Sequence, residues 1–276
     1  MKVDLHLHST ASDGDFTPTE LIKKCKVNGL SACAVTDHDT IDGIKEAIET
    51  GKEIGIEVIP GVEIACESSE MLAYFFDLDS PELNEFLVEA KKRRMERVIA
   101  VLKKIQEQGY DITLEELELK YGKDLLRVHI AYLMIDKGYF KTEREIFDQL
   151  FEKGLPCYVP PNVPSFEEVI SVIKKAKGLA VLAHPQFLNE PEKIAELLPK
   201  LKRLGMVGIE TDCPITKPEQ KPFLEKVKEL AKELDLIETS GSDYHNDHWK
   251  GNQIGMHNCG LETLEKLKAK HKELYG

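Results

Sequence analysis

Five short apolar stretches of this chain each end in a histidine or a carboxylate, and that recurrence limits the fold more than any other feature. They close on His6 and His8, on Asp37-His38, on Glu63, on His184, and on Asp243 with His245. Between them lie segments with helical spacing, such as Ile44, Ala47, Ile48 and Ile54. Buried strands alternating with amphipathic helices build a parallel α/β sheet or a barrel. In parallel α/β barrels the carboxyl ends of the strands converge on one face, where active sites form.

The opening stretch, MKVDLHLHSTASDG, is the densest of these. In a strand, residues two apart share a face. Asp4, His6 and His8 therefore project together, with Val3, Leu5 and Leu7 packing behind them. Ser12-Asp13-Gly14 turns the chain. Thr17 then caps a helix with Pro18 at its first position, and Asn28-Gly29 stops it. Strands follow at Ser31–Thr36, at Glu57–Ile64 with an interruption at Pro60-Gly61, and at Met71–Phe76, with a helix over Ile41–Ile54. From Ser80 the rhythm breaks. Pro81–Gln108 reads as one long charged helix, followed by helices at Thr113–Tyr121, Val128–Asp136 and Thr142–Phe151. No strand-like segment returns until Cys157-Tyr158-Val159. The expected organisation is an α/β barrel domain over 1–79 and 158–276 with a helical insertion over 80–157. Strands resume at Leu179–Ala183, Met206–Glu210 and Leu236–Thr239, each preceded by a helix, and Leu261–Leu274 forms a terminal helix.

The 276 residues hold 42% hydrophobic and 31% charged side chains, the balance of a folded globular protein. A net charge of −12 argues against a partner such as long duplex nucleic acid. It does not argue against a small phosphorylated ligand, because bound cations reverse the local field. None of the six cysteines forms a CxxC pair, so neither a zinc ribbon nor a redox motif is expected. With no signal-like apolar segment at the start and no run long enough to span a bilayer, the expectation is a reduced, cytoplasmic protein without a membrane partner.

Histidines and carboxylates gathered without cysteine pairs suit Zn, Mn or Fe. The potential ligands outnumber what one four-coordinate zinc needs, so a cluster of two or three divalent metal ions fits better. Such clusters hold the attacking and leaving oxygens of a phosphoryl transfer.

The ordered motifs DLHLHS…SDG, TDHD, PGVE, AHP and GSDYH resemble those of the PHP (polymerase and histidinol phosphatase) superfamily, from Asp4 to His245. Arg127-Val128-His129-Ile130-Ala131 in the insertion resembles the stand-alone phosphoesterase branch that includes nucleoside 3′,5′-bisphosphate phosphatases. The resemblance implies a distorted (β/α)7 barrel and a trinuclear metal site. It places His6, His8, Glu63 and Asp243 on a first metal, and Glu63 and His184 on a second. Asp13, His38 and His245 fall on a third. Asp4, Asp37 and Asp39 would orient ligand imidazoles through their other nitrogen. Arg127 and His129 would meet the substrate phosphate, where a planar guanidinium can pair with two oxygens.

Two positions depart from the family pattern. Glu70 stands where a further histidine ligand of the second metal is usual, which favours a harder ion such as Mn or Mg. Pro161 ends the segment PCYVPP where a basic residue is usual. The implied activity is a metal-dependent phosphoesterase acting on a small phosphomonoester of a nucleotide, by attack of a metal-bridging hydroxide. The rival expectations are a histidinol-phosphate phosphatase, a 5′→3′ exonuclease on short RNA, and a non-catalytic metal-binding accessory domain.

Overall fold

A computed structural model describes residues 1–188, 191–248 and 252–276. The chain opens with β1 (Lys2–Asp4), α1 (Pro18–Val27), β2 (Leu30–Val35), α2 (Ile44–Ile54), β3 (Glu57–Cys66) and β4 (Ser69–Tyr74). Four helices follow: α3 (Pro81–Glu107), α4 (Leu114–Tyr121), α5 (Arg127–Asp136) and α6 (Glu143–Ile146). The remainder is α7 (Phe166–Lys175), β5 (Leu179–Leu182), α8 (Ile194–Leu204), β6 (Gly208–Asp212), α9 (Gln220–Glu233), β7 (Ile237–Ser240), β8 (Cys259–Gly260) and α10 (Leu261–Tyr275).

The strands form one sheet in the order β7-β6-β5-β4-β3-β2-β1-β8. Past the end of β1, Leu5 N–H donates to the Ser240 carbonyl at 3.2 Å, and Leu7 bridges in parallel to Tyr244. These contacts close the sheet into a distorted barrel of seven strands with the two-residue β8 beside β1. Val3, Leu5, Ala34, Ile59, Tyr74 and Val181 belong to one buried cluster with Leu264 and Leu267 of α10. Side chains from five successive strands can meet only inside a sheet curled on itself. Two further clusters lie against the helices, one built on α7, α8 and α9 and one on α1 and α2.

Local chemistry sets the helix starts. Thr17 and Ser165 each accept from the third helical N–H while Glu20 and Glu168 reach back, and Pro18 opens α1 as the sequence indicates.

Several elements differ from expectation. β3 runs unbroken through Pro60-Gly61. β4 pairs antiparallel with both β3 and β5, because only Glu67 and Ser68 separate it from β3 and so short a link cannot reverse a chain into a parallel partner. Ser68 takes the required positive φ of 67°. Thr142–Phe151 is a short α-helix followed by a π-helical turn over Phe147–Phe151. Cys157-Tyr158-Val159 forms no strand; Cys157 is buried and its N–H caps the Leu150 carbonyl at 2.9 Å. Val3 and Leu5 do not share their core with Leu7, which packs against α1 and α2 instead. The alternation changes side at His6.

The chain divides into two compact units, Met1–Leu87 with Pro164–Gly276, and Val88–Val163. The second unit has its own apolar core, including Val98, Leu102, Ile130, Met134, Leu150 and Phe151. Among the described residues no helix is long and apolar enough to cross a membrane.

Tyr74 ties the barrel interior to the first strand: its buried hydroxyl donates to the Leu5 carbonyl at 2.8 Å. Burial pushes that hydroxyl well above its ordinary pKa, so it stays a donor. Tyr74→Phe leaves a buried carbonyl unpaired and should cost about 1–2 kcal/mol of stability, read from urea unfolding of the metal-free protein.

Candidate metal centre

The strand ends of the first unit bring the sequence-selected ligands together around Glu63, which is fully buried. Its Oε2 lies 3.1 Å from His6 Nε2, 3.3 Å from His8 Nε2 and 3.2 Å from His38 Nδ1. Its Oε1 is 2.8 Å from His184 Nε2. Asp243 Oδ1 stands 3.3 Å from His8 Nε2 and 3.6 Å from His6 Nε2. On one side, Asp13 lies 3.4 Å from His245 and 3.8 Å from both His8 and His38. On another, Glu70 approaches His184 at 3.2 Å and His38 at 3.5 Å.

Among the described residues, three groups of ligand atoms result, each within 4.8 Å: His6, His8, Glu63 and Asp243; His8, Asp13, His38 and His245; and His38, Glu63 and Glu70. His38 and His8 each take part in two groups, more sharing than the family resemblance implies.

The backbone pays some strain for this convergence. His184 has φ 20° and Asp39 and Asp243 have φ 50°, values that residues with a side chain adopt rarely. Strict alternation from Ala183, which faces the barrel interior, would turn His184 outward; its unusual backbone directs the ring to Glu63 instead. Gly241 is needed for another reason. A Cβ there would sit 2.2 Å from the His6 Cβ, so only a bare backbone fits beside that imidazole.

The carboxylates expected to orient imidazoles divide differently. Asp4 accepts from the N–H groups of Ser242 and Gly255, at 2.9 and 2.8 Å, and from His6 N–H at 3.3 Å. Burial raises its carboxyl to a pKa of about 6 against those donors. Asp37 accepts from Ser9 N–H, Ser9 Oγ and Ser12 Oγ, each at 2.7 Å, and so braces the turn that carries Asp13. With these bonds to backbone and hydroxyl groups, Asp4 and Asp37 fix chain segments rather than rings. Asp39 Oδ1 accepts from Ala65 N–H at 3.1 Å.

A carboxylate that does orient an imidazole is Glu210, which the sequence reading passed over. It is fully buried, lies 3.1 and 3.2 Å from His6 Nδ1, and accepts the His184 N–H at 2.8 Å. A hydrogen bond from Nδ1–H leaves His6 Nε2 free as a ligand. The signal was present: MVGIE is one more apolar stretch ending in a carboxylate.

Further histidines and the two insertion residues have partners of their own. His257 Nδ1 pairs with Asp212 at 2.8 Å, and His248 is largely exposed. Arg127 and His129 belong to the second unit. Arg127 opens α5, its guanidinium carbon 5.5 Å from the Phe147 ring centroid. His129 is buried, accepts the Leu126 N–H through Nδ1 at 3.1 Å and stacks on Tyr121 at 4.7 Å. Pro161 is exposed and in no regular element.

The donor chemistry fits divalent cations. His6 Nε2, both nitrogens of His8 and Glu63 Oε2 are buried without a hydrogen bond of acceptable geometry. Buried polar atoms left this way are costly unless something else satisfies them. Nitrogen and oxygen donors without thiolate suit Zn, Mn or Fe. Burial works against charge on His6 and His184, yet Glu63 and Glu210 raise His6 well above its ordinary pKa, and Glu63 with Glu70 does the same for His184. Asp13 and Asp243 likewise bring His245 to about 10. In the opposite sense, burial would raise Glu63 and Asp13, but the rings around them hold both well below the usual carboxylate range.

A buried imidazole–carboxylate cluster at the strand ends of an α/β barrel defines a multi-ligand metal centre. The chain belongs to the PHP domain family, whose model matches residues 4–205. A 5′-3′ exoribonuclease of Haemophilus influenzae is 33% identical over 250 residues, 88% of this chain and 90% of that protein. A 3′,5′-nucleoside bisphosphate phosphatase of Chromobacterium violaceum is 28% identical over 265 residues, 92% and 90% of the two chains. A solved Bifidobacterium adolescentis structure, assigned as a metal-dependent phosphoesterase, is 28% identical and matches with a TM-score of 0.87 over 97% of this chain and 96% of its own.

Two measurements test the centre. His8 belongs to two ligand groups and Glu70 to one, so His8→Ala should lower total metal content at least as far as Glu70→Ala does. Elemental analysis of the purified variants decides this, and parental metal content in His8→Ala would remove His8 from the centre. The second concerns protons. Without cations, the rings with raised pKa hold protons at pH 7, and a cation must displace them. Calorimetry in buffers of different ionisation enthalpy should therefore record net proton release, with affinity rising from pH 6 to 8, below the His245 value of about 10.

Proposed function

We propose that the protein hydrolyses a small phosphomonoester carried by a nucleotide, either a nucleoside 3′,5′-bisphosphate or a nucleoside monophosphate, using two or three divalent cations. The observation that carries this reading is the convergence of His6, His8, His38 and His184 on Glu63, to which the Asp13 and His245 group is joined through His8 and His38. The first cation would be held by His6, His8, Glu63 and Asp243, the second by Glu63, Glu70 and His184, and the third by Asp13, His38 and His245. Bound together, such cations lower the pKa of water and neutralise charge developing on the phosphoryl oxygens. The chain's own part is to hold the ligand atoms in fixed positions. Glu210 sets the His6 tautomer, Asp37 braces the Asp13 turn, and buried apolar strands beneath keep the frame rigid.

The bisphosphate phosphatase relative supports a monoester, and the exoribonuclease relative supports a second reading, trimming of short RNA from its 5′ end. The two use the same ligand set on different leaving groups. Phosphate release from bisphosphates, monophosphates and histidinol phosphate, beside nucleotide release from short oligonucleotides, separates them. Activity confined to oligonucleotides would overturn the monoester reading. Asp243→Asn should abolish release from every substrate while the protein still unfolds cooperatively.

For Arg127, substrate phosphate contact is proposed on the strength of the sequence motif, with His129 as a second contact. Arg127→Ala should keep metal content and melting temperature near parental values and lower kcat/KM by the equivalent of about 2–4 kcal/mol. Lys at this position should restore part of the rate, lacking the planar fork. A lowered melting temperature with unchanged kinetics would make Arg127 a packing residue of its own unit.

A further inference from the structure

The turn after β5, Pro185–Phe187, begins one residue beyond His184. With His184 at φ 20° and ψ 66°, the chain bends there and brings Phe187 back beside it. The two rings lie 5.4 Å apart at an interplanar angle of 56°. Phe187 is nonetheless 40% exposed, the one aromatic among the strongly exposed large hydrophobic side chains of the first unit's described residues.

A lone exposed phenyl ring needs no explanation. This one has a rigid support. Gln186, next to it, is buried. Its side-chain amide donates to the Pro214 carbonyl at 2.8 Å and accepts from the Cys213 thiol at 3.1 Å. Gln220 donates to the Gln186 carbonyl at 3.4 Å. The turn after β5 is thereby locked to the segment after β6, which presents Ile215 at 43% exposure. Two neighbouring strand ends thus each offer an apolar side chain to solvent on a backbone held by a buried amide. Apolar surface on a pre-organised frame beside convergent polar groups is how small-molecule sites are built.

We infer that Phe187, with Ile215 from the adjoining segment, forms the ledge on which the substrate's nucleobase lies. The inference deepens the proposed nucleotide reading and rests on it. A phosphate at the cluster would sit beside His184, and a base joined to it through one sugar would reach a ring 5.4 Å from that imidazole. Stacking on a phenyl face tolerates every base, because each has a π-face. The ledge therefore selects nucleotides over base-free sugar phosphates without selecting among bases.

The test compares kcat/KM for adenosine 5′-monophosphate and ribose 5-phosphate, which differ only in the base, in the parent and in F187A, F187W and F187L. The parent should favour the nucleotide by about tenfold or more. F187A should collapse that preference toward unity, mainly through KM for the nucleotide, and F187W should retain it. Metal content is measured on each variant so that damage to His184 is recognised. A parent that cleaves both esters equally, an F187A variant that loses both equally, or an F187L variant that keeps the full preference overturns the stacking ledge. A parent that cleaves neither, nor any other phosphomonoester, overturns the proposed function itself.

Discussion

Everything at the mouth of this barrel depends on the ion pairing of one carboxylate, that of Glu63. An isolated carboxylate taken out of water costs several kcal/mol even after relaxation. Glu63 is fully buried, and what makes that tolerable is a ring of imidazoles at 2.8 to 3.3 Å from its two oxygens. The backbone holds it as firmly. Glu63 N–H donates to the Asp37 carbonyl at 3.3 Å, and its own carbonyl accepts from Asp39 N–H at 2.8 Å. The strand end bearing Asp37-His38 is thus zipped to the strand bearing Glu63, and the ligands on both are fixed by the same bonds.

How much of this could be read from the sequence follows from how local each signal is. The ligand histidines were legible because a strand end is a local pattern and its chemistry sits on the last residues. Whether Asp4 or Asp37 would face a ring was not legible. Each lies within a residue or two of a ligand, but its hydrogen-bond partners come from elsewhere, Ser242 and Gly255 in one case and the Ser9–Ser12 turn in the other. Glu210 was the reverse case. Its local pattern matched the rule, yet its meaning lies in a partner 204 positions away in the chain. The side change at His6 is likewise a product of barrel closure, since Leu7 follows α1 and α2 rather than the period of two.

The topology shows a similar limit. Repeated strand–helix units predict parallel neighbours, and β1 to β3 obey. The β3–β4 hairpin interrupts the rule, and the antiparallel pairing it imposes places Glu70 at the opening of β4 opposite Ala65, on the strand that carries Glu63. Glu70 therefore reaches His38 and His184 from the start of a strand, whereas His38, His184 and Asp243 lie just past strand ends. A hairpin is the simplest way for an α/β barrel to bring an extra ligand to that face.

That placement bears on the order of events at the proposed site. Asp13, Glu63, Glu70 and Asp243 surround the rings, with Glu210 behind them, in a protein of net charge −12. Compared with the histidine that the family resemblance implies at this position, Glu70 adds one more carboxylate. Without cations, protons on His6, His184 and His245 offset only part of that negative charge, and two or three divalent ions in their place reverse the sign of the local field. On the proposed reading, substrate binding is therefore conditional on metal binding. The extra carboxylate makes that condition stricter here than a histidine would, because it deepens the negative field before loading and strengthens the hold on a hard cation afterwards.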